Sequence, residues 1–485
     1  MRQLSQSLAA NLAVLDKMFG TSADYYAKEI TIYHCRGSIL LFDGMASLDS
    51  LWELLLDAAS RQAPPQQAGQ RCTGPQVFEL ILHGSAFPAE SEPVTDLADL
   101  IKRMTAGMAV LLLDGCAKGI AFSVQGLKFR SVDEPSGEGN LRGSREGFAD
   151  LLRVNLSLLR RLIRTEHLVQ EVAQADTEMQ TEYAICYCKN RADSAMVIRV
   201  RKALAAAKPE LLLDSSYFVS WLLPGKARLF TPVSYTERPA VAAAKICEGK
   251  IVVLVNGSPS AMVLPALFCE NFECLDDYAS TAVFSSFLRI LKYVSFYLTV
   301  FLPGVFVCLA VYLPELIPPQ LLYKIEAAEK ATPLPLFAEM LLVILILEVI
   351  REAGLRMPQS LGHSVSLVSA LIGDAAIATG LMSTPVIFVA SITAIAVFVT
   401  PSLYEPATLL RLGVVLAAGL AGPVGLAGAF FAVLLSLSGT ACLQVPYLAA
   451  HPFPQRPMAE DGIIRRNYRR LSAHDFNIWQ KREGK

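Results

Sequence analysis

The sequence predicts a chain in two parts: an α/β soluble cytoplasmic head of two small helix-plus-hairpin subdomains, followed by an all-α polytopic membrane domain. Three observations predict it. Long apolar stretches are concentrated after about residue 285. In the earlier part, apolar runs that end in Asp-Gly or Asn-Gly recur. Between two of them lies a segment whose apolar residues return every three or four positions, the period of an amphipathic helix.

A chain of 485 residues has room for two or three domains. Its net charge of -1 gives no polyanion-binding field, so no nucleic-acid partner is expected. The ten cysteines are scattered, without a C-x-x-C or a Cys/His cluster, and read as reduced structural thiols. No metal and no cofactor is expected. Cys186 and Cys188 alternate in a strand-like run and should share a face. Residues 1–19 lack the apolar core of a signal peptide, so the head is expected to stay in the cytoplasm.

The predicted boundaries are a first soluble subdomain at 1–128, a connecting helical segment at 129–181, a second subdomain at 182–285, a transmembrane domain at 286–450 and a basic cytoplasmic tail at 451–485. Residues 39–44, 110–115 and 252–257 each run apolar into Asp-Gly or Asn-Gly, dipeptides that accept positive φ and make tight hairpin turns. After the second and third, an apolar strand resumes. Residues 147–172 carry the helix period through Phe148, Leu151, Leu152, Asn155, Leu158, Leu159 and Leu162. Arg160, Arg161 and Arg164 read as a solvated face paired with Glu166. Residues 137–143 look superficially like a phosphate loop, but no strand precedes them and no Lys-Ser/Thr pair follows, so they read as a flexible connection. The head holds no P-loop, G-x-G-x-x-G, G-x-S-x-G or H-E-x-x-H motif, and no enzymatic activity is expected.

In the membrane part, a first span is predicted at about 291–313, kinked by Pro303-Gly304. A second falls at about 336–355. Glu339 in its first turn can reach the headgroups. Glu348 sits about 18 Å along the helix, where an ionised carboxylate facing lipid is costly. Arg351 lies one turn away, and Glu352 falls on nearly the same face. Two readings stand: a polar stripe lining a conduit, or a structural ion pair. Residues 364–404 read as two spans broken at Ser383-Thr384-Pro385, with Asp374 a lone acid in an apolar run. Residues 413–448 carry no charge over about 54 Å of straight helix, too long for one crossing of a ~30 Å core, so a hairpin or re-entrant piece is expected, with Gly419, Gly422, Pro423, Gly425, Gly428 and Gly439 all offering breaks. The basic tail should remain cytoplasmic. With a cytoplasmic head the crossings are then even in number: four with a re-entrant piece, or six.

Ordered blocks then carry a resemblance. Arg130-Ser131-Val132-Asp133-Glu134-Pro135 is followed by Arg142-Gly143-Ser144-Arg145-Glu146-Gly147-Phe148, and later by Asn155 and Leu159-Arg160-Arg161. Thr236-Glu237-Arg238-Pro239, Gly249-Lys250-Ile251 and Asn256-Gly257-Ser258-Pro259 come next. Pro335, Glu339, Glu348, Arg351-Glu352-Ala353-Gly354-Leu355-Arg356-Met357-Pro358 and Gly362 complete the set. In these blocks the chain resembles the A-subunit family of GerA-type bacterial spore germination receptors, a family that includes stage V sporulation AF-like relatives. Ser144 stands where the family usually has Pro, and Ala240 where an acid commonly follows.

The resemblance implies a multi-pass protein of the spore inner membrane. It implies a homo-oligomeric ring that conducts ions when nutrient binds, working with a permease-like B subunit and a lipoprotein C subunit. Glu348, Glu352, Asp374 and Arg351 are then pore or gate candidates. Arg142, Arg145, Glu146, Glu237 and Arg238 are assembly or coupling candidates. An accessory sporulation protein acting as scaffold or auxiliary channel is the alternative within the family. A secondary transporter and a membrane-tethered enzyme are the alternatives outside it.

Overall fold

The computed structural model describes residues 3–46, 73–83, 91–124, 135, 137–140, 142–223, 225, 228–356, 362–443, 445–448, 462–467 and 469. Residues 130–134 and most of the basic tail lie outside them. The chain divides into two compact units, one built from residues up to 225 with Val233–Pro265, the other from residues 226–232 with those from Ala266 to His474.

The first unit opens with α1 (Leu8–Phe19), β1 (Tyr25–Ile32), β2 (Cys35–Phe42), α2 (Gly74–His83), β3 (Ser91–Val94), α3 (Leu97–Thr105), β4 (Ala109–Leu113) and β5 (Gly119–Phe122). Its strands form one antiparallel sheet in the order β1-β2-β4-β5-β3. Successive side chains of a strand point to opposite faces. Ile39, Leu41, Leu111 and Leu113 accordingly pack with Val77, Phe78 and Ile81 of α2. Leu40, Phe42, Val110 and Leu112 pack on the other side with Leu15 and Phe19 of α1 and Leu100 and Met104 of α3. A sheet buried on both faces explains why these strands are continuous apolar runs.

A second set follows: α4 (Leu152–Leu162), β6 (Leu168–Gln174), β7 (Glu182–Cys188), α5 (Ser194–Ala206), α6 (Val219–Leu222), β8 (Ser234–Thr236), α7 (Pro239–Cys247), β9 (Ile251–Val255) and β10 (Ala261–Leu264). Its sheet order is β6-β7-β9-β10-β8, the same pattern as the first. The repetition extends to single hydrogen bonds. Asn11 in α1 exchanges two bonds with the Ser5 backbone, at 2.9 and 2.7 Å. Asn155 in α4 does the same with Ala149, at 2.8 and 2.6 Å. The Asp114 carboxylate accepts from the Leu8 amide at the start of α1, and the Asn256 side chain accepts from the Leu152 amide at the start of α4. Gly115 and Gly257, at φ 79° and 93°, close the β4–β5 and β9–β10 hairpins.

Several expectations need correction. The supposed connecting segment is the first part of the second subdomain, because β6 pairs with β7 along its whole length. The helix predicted over 147–172 covers only Leu152–Leu162, since from Leu168 the chain becomes an edge strand. The Asp43-Gly44 turn leads to no described hairpin; Gly44 instead lies so close to α4 that a Cβ there would stand 2.9 Å from Ser157. The arginine triplet is not one solvated face. Arg160 is fully buried against Asp24, Arg161 pairs with Glu146, and Glu166 meets His167 at 3.9 Å. Cys186 and Cys188 do share one core.

The second unit contains α8 (Leu275–Ala279), α9 (Ala282–Tyr312), α10 (Pro319–Glu329), α11 (Leu336–Arg356), α12 (Gly362–Ala378), α13 (Thr384–Val397) and α14 (Tyr404–Gly439). Among the described residues two helices are long and apolar enough to cross a bilayer, Ala282–Tyr312 and Pro401–Gly439. The predicted break at Ser383-Thr384-Pro385 is present, with Ser383 as N-cap of α13. The expected reversal in the last apolar stretch is also present. At Gly422 (φ 56°, ψ -136°) α14 folds back on itself. A Cβ at Gly422 or Gly419 would meet Tyr312 or Phe337 respectively, whereas the Phe430 ring lies tilted against Phe301 and Leu437 joins Phe296 and Val300. The second leg therefore returns along α9 toward its start.

Candidate functional site

One cluster of polar residues in the helical unit converges on Glu348. Tyr404, Thr408 and Arg411 occupy positions four and three apart in the first turns of α14, so they project from one face. Glu348 and Arg351, three apart on α11, project toward them. Glu348 Oε2 accepts from Arg351 Nε at 3.1 Å and from the Tyr404 hydroxyl. Its Oε1 accepts from Arg411 Nη2 and, at 3.4 Å, from the Thr408 hydroxyl. The Arg351 guanidinium stacks 3.4 Å from the Tyr404 ring centroid. Arg411 is 2% exposed and its Nε has no partner among the described residues.

One carboxylate thus joins two guanidiniums in a largely desolvated site, where removing it leaves a buried positive charge. Glu352 stands outside this knot. It is half exposed, pairs with Arg356 at 2.6 Å and reaches Arg351 only at 3.9 Å. Asp374 is exposed on α12 and is not brought to Glu348; it has no hydrogen bond or ion pair among the described residues. Arg411, Tyr404 and Thr408 were missed. Their i, i+4, i+7 spacing just ahead of the uncharged stretch was the available signal.

Glu339 was expected at the headgroups. It is instead fully buried, because α13 starts beside it: the carboxylate accepts the Ser383 backbone N–H and so caps α13 from another helix. Its Oε2 has no hydrogen-bond partner among the described residues.

Three of the five head candidates, Arg142, Arg145 and Glu146, lie in the loop before Phe148; the other two, Glu237 and Arg238, belong to the Thr236–Pro239 turn that packs against it. Arg238 is buried and donates to the carbonyls of Glu138 and Ser144, the latter at 2.7 Å. Glu237 accepts from the Gly137 amide at 3.2 Å, and its carbonyl accepts from Phe148 at 2.7 Å. Glu146 pairs with Arg161, while Arg142 and Arg145 are exposed. The loop read as a flexible connection is therefore pinned at several points. Burial pushes the Glu138 carboxyl above its ordinary range, against the opposing pull of the Thr236 hydroxyl, the Glu237 amide and Arg238.

The family described as Bacillus/Clostridium GerA spore germination protein matches residues 13–475. The chain belongs to the GerA family. Among GerA relatives, it is 30% identical to spore germination protein KA of Bacillus subtilis (strain 168) over 466 residues, 95% of this chain and 84% of that protein. Spore germination protein B1 of the same organism is 29% identical, over 87% of each chain. Its stage V sporulation protein AF is 28% identical, over 88% of this chain and 86% of that one. Among solved structures, the N-terminal domain of the A subunit of the Bacillus megaterium spore germinant receptor GerK3 is similar over 55% of this chain and 97% of that domain, at a TM-score of 0.44 and 23% identity. The GerA match spans both units, so the head loop and the helical knot belong to one family framework.

Proposed function

We propose that the chain is the A-type subunit of a spore germinant receptor, a multi-pass protein of the spore inner membrane with its head in the cytoplasm. The match over residues 13–475 carries this reading. In it, a homo-oligomeric ring works with a permease-like B subunit and a lipoprotein C subunit and passes ions when nutrient is bound. The head is non-catalytic: it assembles and couples through the exposed Arg142 and Arg145, while Glu146, Glu237 and Arg238 shape the loop that presents them. The knot of Glu348, Arg351 and Arg411 is the gate element, and Glu352 and Asp374 are polar positions available to a passage between copies.

The test is co-reconstitution of the full chain with its two partners in liposomes. Nutrient should open a monovalent-cation flux, and Glu348→Gln should change its conductance or selectivity. A bilayer that stays closed with every component present would refute conduction. A scaffold reading is favoured by one observation, the complete engagement of both Glu348 oxygens. It expects Asp374→Asn to leave germination intact and Glu348→Gln to lower stability without altering any conductance or selectivity.

A further inference from the structure

We infer that residues 462–466 form a latch on the root of α9, and that seating or releasing it sets the freedom of that helix's first turns. The segment docks by both backbone and side chain. The Arg465 amide donates to the Ser286 hydroxyl at 3.0 Å, and the Gly462 carbonyl accepts from Arg289 Nη1 at 2.9 Å. The Arg465 guanidinium then enters the end of α8. Its Nη1 donates to the carbonyls of Asp277 and Ser280 at 2.6 and 2.8 Å, and it lies 5.4 Å from the Tyr278 ring centroid. Ser285 of α9 is held in the same place, donating to the Asp277 carbonyl at 2.6 Å.

Charge makes this contact reversible. Arg465 is 4% exposed, yet among the described residues it has no carboxylate partner and its Nε has no hydrogen-bond partner. Asp277, whose carbonyl it meets, has its carboxylate committed to Arg289 at 3.0 Å and Lys292 at 3.6 Å. A guanidinium buried without a counter-charge among the described residues loses its hydration and is held here by carbonyls at a helix C-terminus, the Ser285 hydroxyl and a ring face. Such a contact sits near balance between docked and solvated states, unlike the carboxylate-paired Arg289 beside it. Because the latch reaches back some 180 positions to Ser286 and Ser285, its release removes a long-range tie from α9 while leaving the chain between intact.

Hydrogen exchange on the full-length protein in lipid tests this, read on peptides covering 281–292, 462–467 and, as a control in the head, 251–255. Arg465→Ala should lower protection at 281–292 roughly tenfold or more, and Ser286→Ala by less, with 251–255 unchanged. Protection at 281–292 within about twofold of the parent in both variants would overturn the latch, as would an equal loss at 251–255, which would signal general misfolding.

Discussion

Arg160 and Asp24 form a bidentate ion pair in the interior of the head, Nε to Oδ2 at 2.6 Å and Nη2 to Oδ1 at 2.9 Å, joining the helix of the second subdomain to the chain that enters the first sheet. The guanidinium also donates to the carbonyls of Leu168 and Thr165 and lies 4.5 Å from the Phe42 ring centroid. Every edge of the fork is used. Asp24→Asn or Arg160→Met should therefore destabilise the head by about 3–5 kcal/mol, because each strands the other partner. Arg160→Lys keeps the charge and loses the fork, so it should fail to rescue. Thermal unfolding of the three variants checks this.

Glu348 faces two arginines, and only Arg411 is fully buried. Glu348→Gln should cost several kcal/mol, close to the penalty for an uncompensated internal charge. Tyr404→Phe removes one hydrogen bond and should cost about 1–2 kcal/mol. Melting in detergent with a thiol-reactive dye reports both, and equal losses would contradict the ranking.

Asp214 should make the local stability of residues 215–222 depend on pH. Burial raises its pKa, but hydrogen bonds from Ser216 and Ser258 outweigh this and hold the carboxyl below its ordinary value. A depressed acid contributes fully above its unfolded value and loses that contribution as pH falls through its folded one. Exchange protection of Ser215–Phe218 should hold at neutral pH and decline below about pH 4, and Asp214→Asn should abolish the decline.

Gly422 combines a left-handed φ with close contact to Tyr312, where a Cβ would stand 2.8 Å from the ring. Gly422→Ala should cost about 1–3 kcal/mol in strain alone. Gly428, with open space around it, should accept Ala at little cost. Comparing the two melting curves separates conformation from propensity.

Much of the head was legible because local chemistry and global fold agree there. The turns at Asp114-Gly115 and Asn256-Gly257 name themselves, and the continuous apolar strands flanking them follow. The repeat could be sensed, but its extent could not: Asn11 and Asn155 mark it, yet an asparagine bonded six residues back has no period. That the last apolar stretch reverses was legible from bilayer thickness; that it does so at Gly422, among six possible breaks, was not. The partners of charged residues were not. Arg160 reaches Asp24 across 136 positions and Glu348 reaches Arg411 across 63, distances at which sequence spacing says nothing. Glu339 was misplaced for the same reason, since its environment is built by a helix that comes later.

That last delay has a consequence for synthesis. Ser383 follows Glu339 by 44 residues, so a ribosome adding about 5–20 residues per second supplies the capping amide roughly 2–9 s late. Until then the acid has no intended donor, and α11 cannot adopt its final seat. Biogenesis of the helical unit should therefore wait on α13, and a nascent chain arrested before Ser383 should expose Glu339 to carboxyl-reactive reagents that the finished protein resists.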